Sequence, residues 1–224
     1  MDNRTPQKVK FLAEAGFRQV VLARELTLDE ITKIHAACPE TPLEVFVHGA
    51  LCVSYSGQCY VSQACFGRSA NRGECAQFCR LSFDMVDADG KTIVRDKHLL
   101  SLKDLNQSEV LEDLLDAGAS SLKIEGRLKD VSYVKNVTAA YRSKLDAIFA
   151  RRKEYVRASS GTCRFDFTPP VGQEFQPWLH PLLPAGSRPG NLLFRYAEVP
   201  GRGDGYDERA ARQLPYRCRG ETFP

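Results

Sequence analysis

The sequence predicts an α/β fold, a partial (β/α)8-type barrel with a Cys-rich loop region and a β-hairpin, followed by a disordered tail. Segments with helical periodicity alternate with short apolar runs, a pattern typical of parallel sheets. A helix–glycine–strand unit occurs twice, before Arg24 and before Arg127. Outside the hairpin we identify only three strands, whereas a complete barrel needs about eight strands and about 250 residues. The pattern therefore predicts part of a barrel.

Two helix–strand pairs are predicted before the cysteine cluster that begins at Cys52. Apolar spacing within residues 6–16 predicts a helix that begins at a proline and ends at a glycine, and an extended run over 19–23 follows it. Thr27 and Glu30 have the spacing of a capping box, which predicts the start of a second helix. Residues 43–47 form the next predicted strand.

A hairpin and a helix–strand–helix segment are predicted after the cysteine cluster. Residues 81–86 and 91–94 alternate in polarity around Asp89 and Gly90, a pair that favours a tight turn. The last elements are a helix capped by Ser108, a strand over 121–125 and a long amphipathic helix over 133–152.

Composition divides the chain near residue 168. Lys153 is the last lysine, nine of the twelve prolines lie at or after Pro169, and residues 176–224 contain seven arginines. We therefore predict a barrel segment over 1–168 and an aberrant, disordered tail over 169–224. The net charge of +3 does not by itself indicate nucleic acid. Without an apolar leader or a membrane-length run, the sequence predicts a cytoplasmic protein with reduced thiols and no membrane partner.

A metal site is predicted in the cysteine cluster, where five of eight cysteines fall within 28 residues. The predicted ligands are Cys52, Cys59, Cys75 and Cys79, with Cys65 as a spare thiol and Cys38, Cys163 and Cys218 unrelated. Four thiolates suit zinc or an iron–sulfur cluster. The wide gap between the first two ligands differs from the usual zinc pattern, which favours a [4Fe–4S] cluster with zinc as the alternative. Burial of the cysteines as small apolar residues is the non-functional alternative. A helical turn over 73–80 would place Cys75 and Cys79 on one face.

Candidate catalytic residues lie at the ends of two predicted strands. Alternation places Glu44 and His48 on one face, where they could transfer protons; a His–Glu pair that only positions the cysteine loop is the alternative. Arg127 follows the last strand and could bind a carboxylate or phosphate. Lys123 and Glu125 are predicted substrate-binding residues, with a solvated or ion-paired role open for Lys123.

Several motifs resemble the U32 peptidase (collagenase-like) family. They are EVFVHGALC at 44–52, YSGQC at 55–59 with Ser62, SANRGECAQFCR at 69–80, LSLKDL at 100–105 and SLKIEGR at 121–127. The resemblance covers residues 7–168 and is strongest to the branch that hydroxylates a cytidine of 23S ribosomal RNA. It implies a barrel core, a thiolate-bound iron–sulfur cluster, prephenate as co-substrate, and ribosomal RNA or its precursor as partner.

Two departures from the family pattern lead to further expectations. The family's sequence extends before Met1, so the resemblance predicts an N-terminally truncated member. Beyond Phe175 the resemblance stops, and a one-nucleotide shift in the back-translated sequence permits a family-like continuation, which predicts a frameshift; a genuine Pro/Arg-rich linker is the alternative. An inactive fragment is therefore one expected outcome. A metal-assisted peptidase and a non-functional product are the alternatives, although the chain contains neither HExxH nor GxSxG.

Overall fold

The computed structural model describes residues 2–127, 129–169 and the backbone of 193–196. The chain divides into two units, which are described separately. The first unit consists of Met1–Leu51 and Asp104–Phe175, and the second of Cys52–Lys103 and Gln176–Pro224. Within the described residues, no helix is long and apolar enough to cross a membrane.

The described residues form five α-helices and seven strands. The helices are α1 (Pro6–Glu14), α2 (Leu28–Ala37), α3 (Val61–Phe66), α4 (Leu111–Asp116) and α5 (Val131–Arg151). The strands are β1 (Val20–Val21), β2 (Leu43–Gly49), β3 (Phe83–Val86), β4 (Thr92–Lys97), β5 (Leu105–Asn106), β6 (Ala119–Ile124) and β7 (Leu193–Tyr196).

The sheet of the first unit is built around β2. Both β1 and β6 pair with it in parallel, and β5 pairs antiparallel with its last two residues. The predicted α/β class and the three predicted parallel strands are confirmed. The barrel stays a prediction, because this described sheet has four strands and one of them, β5, runs in the opposite direction.

Side-chain caps mark the starts of α2 and α5 but not that of α4. Thr27 and Glu30 form the predicted capping box at the start of α2. Asp130 accepts a hydrogen bond from the Tyr133 backbone N–H and starts α5 earlier than predicted. Ser108 does not cap α4, which begins at Leu111 without a side-chain cap. Its own backbone N–H is instead bound by the Asn106 side chain in a local turn.

The core of the first unit lies between β2 and the helices. Leu43 and Val47 of β2 and Ile34 of α2 are completely buried, and α5 contributes Val137 and Tyr141 to the same cluster. Burying each large apolar side chain stabilises the fold by about 1.5–3 kcal/mol. The apolar face of β2 is thereby fixed towards the helices.

The second unit contains the predicted hairpin. β3 and β4 pair antiparallel, and the Asp87 carboxylate accepts hydrogen bonds from the backbone N–H groups of Asp89 and Lys91 across the turn. β7 pairs antiparallel with β3. The sequence predicted no order there, but two of the four residues in Leu193–Tyr196 are aromatic, a residue type that favours strands. Other residues of the predicted tail and frameshift, 170–192 and 197–224, lie outside the described residues.

Candidate functional site

Alternation along β2 separates an apolar face from a polar face. Leu43, Val45 and Val47 are buried in the core, whereas Glu44 and Phe46 are half-buried on the opposite face. Since β1, β2 and β6 are parallel, their carboxyl ends meet at one edge of the sheet, the usual location of active sites in such folds.

Glu44 is held by donors from both neighbouring strands. Its carboxylate accepts hydrogen bonds from Gln19 Nε2 at 3.0 Å, Ser121 Oγ at 2.8 Å and Lys123 Nζ at 2.8 Å. Burial raises the pKa of Glu44, but the bonds donated by Lys123 and Ser121 outweigh this effect and hold the pKa below its usual value. The ionised carboxylate is better suited to fixing Lys123 than to accepting a proton near neutral pH.

Arg24 joins the ends of all three parallel strands and was not predicted as a site residue. Its guanidinium lies 3.9 Å from the centre of the Phe46 ring and donates to Glu125 Oε2 at 2.9 Å and to the Ala50 carbonyl. Lys123 Nζ lies 5.7 Å from the same ring centre. Two cations therefore lie near the Phe46 ring, an arrangement that attracts anions and the negative faces of aromatic rings. The Arg24 position directly after a strand was the available sequence signal.

Glu125 is the second acidic residue of this edge, and Gly49 fits closely against it. Arg127, which is exposed, donates its backbone N–H to Glu125 Oε1 at 2.9 Å, and the Glu125 N–H donates to the His48 carbonyl at 2.8 Å. A Cβ atom on Gly49 would lie 2.5 Å from the Glu125 carbonyl oxygen. Glu44, the second residue of β2, lies with Lys123 on the polar face of the sheet, whereas Glu125 and Arg127 follow the last residue of β6 at the carboxyl edge.

His48 does not share a face with Glu44, and this part of the prediction is wrong. The pairing between β2 and β6 shifts register between Phe46 and His48, so the alternation is interrupted. His48 Nδ1 lies 3.2 Å from the Tyr141 hydroxyl of α5, which donates to the Val47 carbonyl at 2.7 Å. Because that hydroxyl hydrogen is used on Val47, we assign the proton between the side chains to His48 Nδ1.

A buried ion pair lies beside this histidine. Lys129 Nζ is 2.7 Å from the Asp104 carboxylate, whose side chain is only 4% exposed, and 4.8 Å from the centre of the Tyr133 ring. Burial lowers the pKa of His48; Asp104 opposes this effect and Lys129 adds to it. His48 is therefore a neutral, buried ring that joins β2 to α5. The sequence reasoning named neither Asp104 nor Lys129 as a site residue.

The cysteine region of the second unit consists of short helical turns. Cys52 is exposed and Cys59, Cys75 and Cys79 are half-buried, all as free thiols. The predicted helical turn over 73–80 is interrupted, because Gly73 and Gln77 have left-handed backbone conformations. Gln77 donates its backbone N–H to Cys75 Sγ at 3.4 Å, a contact of the kind that tunes thiolate ligands.

One of the four predicted ligands has a shifted pKa. Burial raises the pKa of the Cys79 thiol, Arg80 lowers it, and Cys52, Cys75 and Cys59 raise it further. Within the described residues, however, no group of three or more His, Cys, Asp or Glu side chains is arranged as a set of metal ligands. The donor set fits a thiolate-bound metal or cluster by its chemistry, and occupancy stays a prediction.

The other cysteines have separate environments. Cys38 is buried in the core of the first unit, and Cys163 is exposed. Cys65 is half-buried in α3. Cys218 lies outside the described residues. The assignment of Cys38, Cys65, Cys163 and Cys218 as non-ligands stays a prediction.

The comparisons with known proteins identify one family. The model of "Peptidase family U32" matches residues 1–169. The chain is 55% identical over 174 residues to the 23S rRNA 5-hydroxycytidine C2501 synthase of Escherichia coli (strain K12), covering 78% of this chain and 26% of that protein. It is 38% identical over 154 residues to the tRNA hydroxylation protein P1 of Bacillus subtilis (strain 168), covering 66% and 36%.

A relative with a different name matches a smaller share of the chain. The collagenase of Porphyromonas gingivalis (strain ATCC BAA-308 / W83) is 36% identical over 140 residues, covering 57% of this chain and 34% of that protein. The chain thus spans about a quarter to a third of the length of these curated relatives. No solved structure matches it.

Proposed function

The chain belongs to the peptidase U32 family, and from this premise we propose that it acts as the cysteine-bearing segment of an RNA hydroxylase that modifies a cytidine of 23S ribosomal RNA. The observation that carries the proposal is the 55% identity over 174 residues to the 23S rRNA 5-hydroxycytidine C2501 synthase. Similarity to tRNA hydroxylation proteins supports RNA as the substrate class.

We propose that Cys52, Cys59, Cys75 and Cys79 hold a [4Fe–4S] cluster. The clustering of the four cysteines within 28 residues of the sequence and the N–H bond from Gln77 to Cys75 support this assignment. When bound, such a cluster supplies one-electron transfer. The thiols must be deprotonated to serve as ligands, and Arg80 favours the thiolate form of Cys79. Zinc in the same four thiols is the alternative.

The polar edge of the first sheet is the proposed substrate site. Arg127 is exposed at the end of β6, where its guanidinium suits a phosphate of RNA or a carboxylate of prephenate, the proposed co-substrate. Glu44 fixes Lys123, and Glu125 fixes Arg24, so both cations are held at defined positions beside Phe46. These contacts orient an anionic ligand and transfer no proton.

His48 serves as a positioning residue in this proposal. Its bond to Tyr141 and the Tyr141 bond to the Val47 carbonyl fix the end of β2 to α5. The cysteine loop begins only a few residues later in the sequence. Positioning of that loop by a His–Glu pair is the alternative role that the sequence predicts. We retain this role for His48, with Tyr141 instead of Glu44 as its partner.

A metal-assisted peptidase is the second candidate, and the similarity to a collagenase favours it. A catalytic zinc keeps an open coordination position for water, whereas four thiolates complete a structural site. The polar edge also has its acidic residues in ion pairs with Lys123 and Arg24. These features favour the hydroxylase over the peptidase.

A chimera tests the proposed function in the context of a full-length relative. Residues 1–169 replace the aligned segment of the Escherichia coli 23S rRNA 5-hydroxycytidine C2501 synthase, in cells that lack the native enzyme. We expect hydroxycytidine in 23S rRNA by mass spectrometry, and its loss in the Cys79→Ser chimera. A soluble chimera that produces no hydroxycytidine would contradict the proposal and leave the peptidase or a non-functional product.

Metal analysis tests the ligand assignment separately. After anaerobic purification of the 224-residue chain, we expect iron and acid-labile sulfide in the wild type. Cys75→Ser and Cys79→Ser should lose both, whereas the matched variants Cys65→Ser and Cys163→Ser should retain them. Equal iron in all four variants would refute the assignment, and stoichiometric zinc without sulfide would favour the alternative metal.

A further inference from the structure

Two tyrosines of the cysteine region have largely exposed side chains. Tyr55 and Tyr60 are each 62% exposed, in contrast to the buried Tyr141 of the first unit. Single exposed apolar residues are common on protein surfaces and need no explanation. These two lie five positions apart in one loop, so their setting decides whether they form a surface.

Hydrogen bonds hold the backbone around both tyrosines. The Tyr55 carbonyl accepts from the Gln58 N–H at 3.1 Å and closes a turn. The Tyr60 carbonyl accepts from the Gln63 N–H at 3.1 Å and the Ala64 N–H at 2.9 Å, both in α3. Asn71 Nδ2 donates to the Gly57 carbonyl at 3.3 Å, which ties this loop to the helical turn over residues 70–72. The rings are thus exposed on an ordered backbone.

Two arginines belong to the same short segment. Arg68 follows α3, with its N–H bound to the Ser62 carbonyl at 3.1 Å, and Arg72 ends the turn that Asn71 ties to the tyrosine loop. Both side chains are exposed, and neither forms an ion pair in the part of the chain that the structure describes. Glu74 is the only acidic residue between positions 52 and 82, which contain three arginines.

We propose that Tyr55, Tyr60, Arg68 and Arg72 form a binding surface for an unpaired, single-stranded segment of RNA, here called the Tyr–Arg surface. Exposed aromatic rings stack on unstacked bases, and arginines bind phosphates or stack on bases. Paired bases in duplex RNA do not offer their faces. The inference rests on the proposed RNA substrate and adds to it a location and a conformation of the bound strand.

The test measures binding of a fluorescein-labelled, mixed-sequence 12-nucleotide RNA to the anaerobically purified 224-residue chain by fluorescence anisotropy. Since each stacked base contributes about five- to 150-fold in affinity, Tyr55→Ala with Tyr60→Ala should weaken binding by about tenfold or more. The Tyr→Phe pair retains the rings and should bind within about twofold of the wild type. Arg68→Gln with Arg72→Gln should lower the slope of log K against log salt by about 1.4.

Matched controls distinguish binding at this surface from non-specific hydrophobic and electrostatic binding of RNA. Phe11→Ala with Phe17→Ala removes two exposed rings from the first unit, and Lys91→Gln with Arg95→Gln removes two exposed cations from the hairpin. Both control variants should bind the RNA with the affinity of the wild type. The same RNA annealed to its complement should bind at least about tenfold more weakly. We set this threshold at about the lower end of the affinity that base stacking contributes.

Equal losses in the controls, equal binding of duplex, or no RNA binding by the wild type would each overturn the inference; the last result would leave the tyrosines to a protein partner. Anisotropy requires no turnover. RNA binding through this surface together with an inactive chimera would therefore refute the proposed function alone, and an active chimera whose RNA binding is insensitive to the tyrosines would refute the surface alone.

Discussion

Gly49→Ala should be among the most destabilising single substitutions in the first unit. Gly49 has φ +108, and an added Cβ would lie 2.5 Å from the Glu125 carbonyl oxygen and 2.8 Å from Glu125 Cβ. Neither atom is the far end of a flexible side chain, so the ends of β2 and β6 must separate. The displacement would strain the bond from the Glu125 N–H to the His48 carbonyl.

The magnitude follows from two separable costs. A side chain at positive φ costs about 1–2 kcal/mol, and forcing atoms into a packed site costs about 1–3 kcal/mol more. We therefore expect a loss of about 3–4 kcal/mol in the free energy of unfolding, a large share of the about 5–15 kcal/mol that holds a typical domain folded. Gly16 is the matched control, because it has φ +92 and nothing within 4 Å of an added Cβ.

Urea denaturation followed by far-ultraviolet circular dichroism measures both variants. Gly16→Ala should cost only the backbone term of about 1–2 kcal/mol, and the difference between the variants reports the contact with Glu125. If Gly49→Ala costs no more than Gly16→Ala, the strands do not approach as closely as the structure indicates, and the proposed fixing of Glu125 at the polar edge is wrong.

Three further predictions concern a buried ion pair and two titratable side chains, Glu44 and His48. Lys129→Met should cost about 3–5 kcal/mol in the free energy of unfolding because it leaves the buried Asp104 carboxylate without its partner. Lys123→Met removes a lysine that is 43% exposed in its pair with Glu44 and should cost under about 1 kcal/mol. Equal costs in urea denaturation would contradict the difference in burial between the two pairs. The folded-state pKa of Glu44 lies below the ordinary 4.5, so its stabilisation is present above pH 4.5 and lost as the pH falls through the lower pKa. Glu44→Gln should reduce the loss of unfolding free energy as the pH falls below 4.5. An unchanged loss would show that Glu44 does not stabilise the fold in this way. The pKa of His48 is depressed below 6.5, so the unfolded chain gains a proton that the folded chain resists, and stability should fall below pH 6.5. His48→Asn should reduce that fall in denaturation curves at pH 7 and pH 5; an equal fall would show that His48 does not cause it.

Local sequence rules predicted the elements that local interactions determine. The capping box of Thr27 and Glu30 starts α2 where expected, and the Asp89–Gly90 turn joins two antiparallel strands. The three parallel strands were also recognisable, because short apolar runs that alternate with helical segments are typical of parallel β-strands. The polar face that carries Glu44 followed from strand alternation, whereas Glu44 as the partner of Lys123 was not predicted, because that pair depends on the register between β2 and β6.

Two of the failed predictions, unlike those for Ser108 and the turn over 73–80, depend on contacts between distant residues. Alternation could not reveal the register shift after Phe46, which turns His48 towards α5, because a bulge is specified by both paired strands. Likewise, Asp104 and Lys129 are 25 positions apart and become a buried pair only when the fold brings them together. A pattern within one segment contains neither relation.

Arg24 contacts residues in and beside the end of β2 that belong to the proposed substrate site and that precede the cysteine loop in the sequence. Its guanidinium binds the Ala50 carbonyl, two positions before Cys52 in the sequence, while it also contacts Phe46 and Glu125. Lysine would retain the charge but not the fork that reaches two acceptors while its plane stacks on a ring. We therefore expect Arg24→Lys to lower activity of the chimera through both substrate binding and iron retention. Full iron content with a raised KM would restrict Arg24 to the substrate edge, and unchanged values of both would remove it from the site.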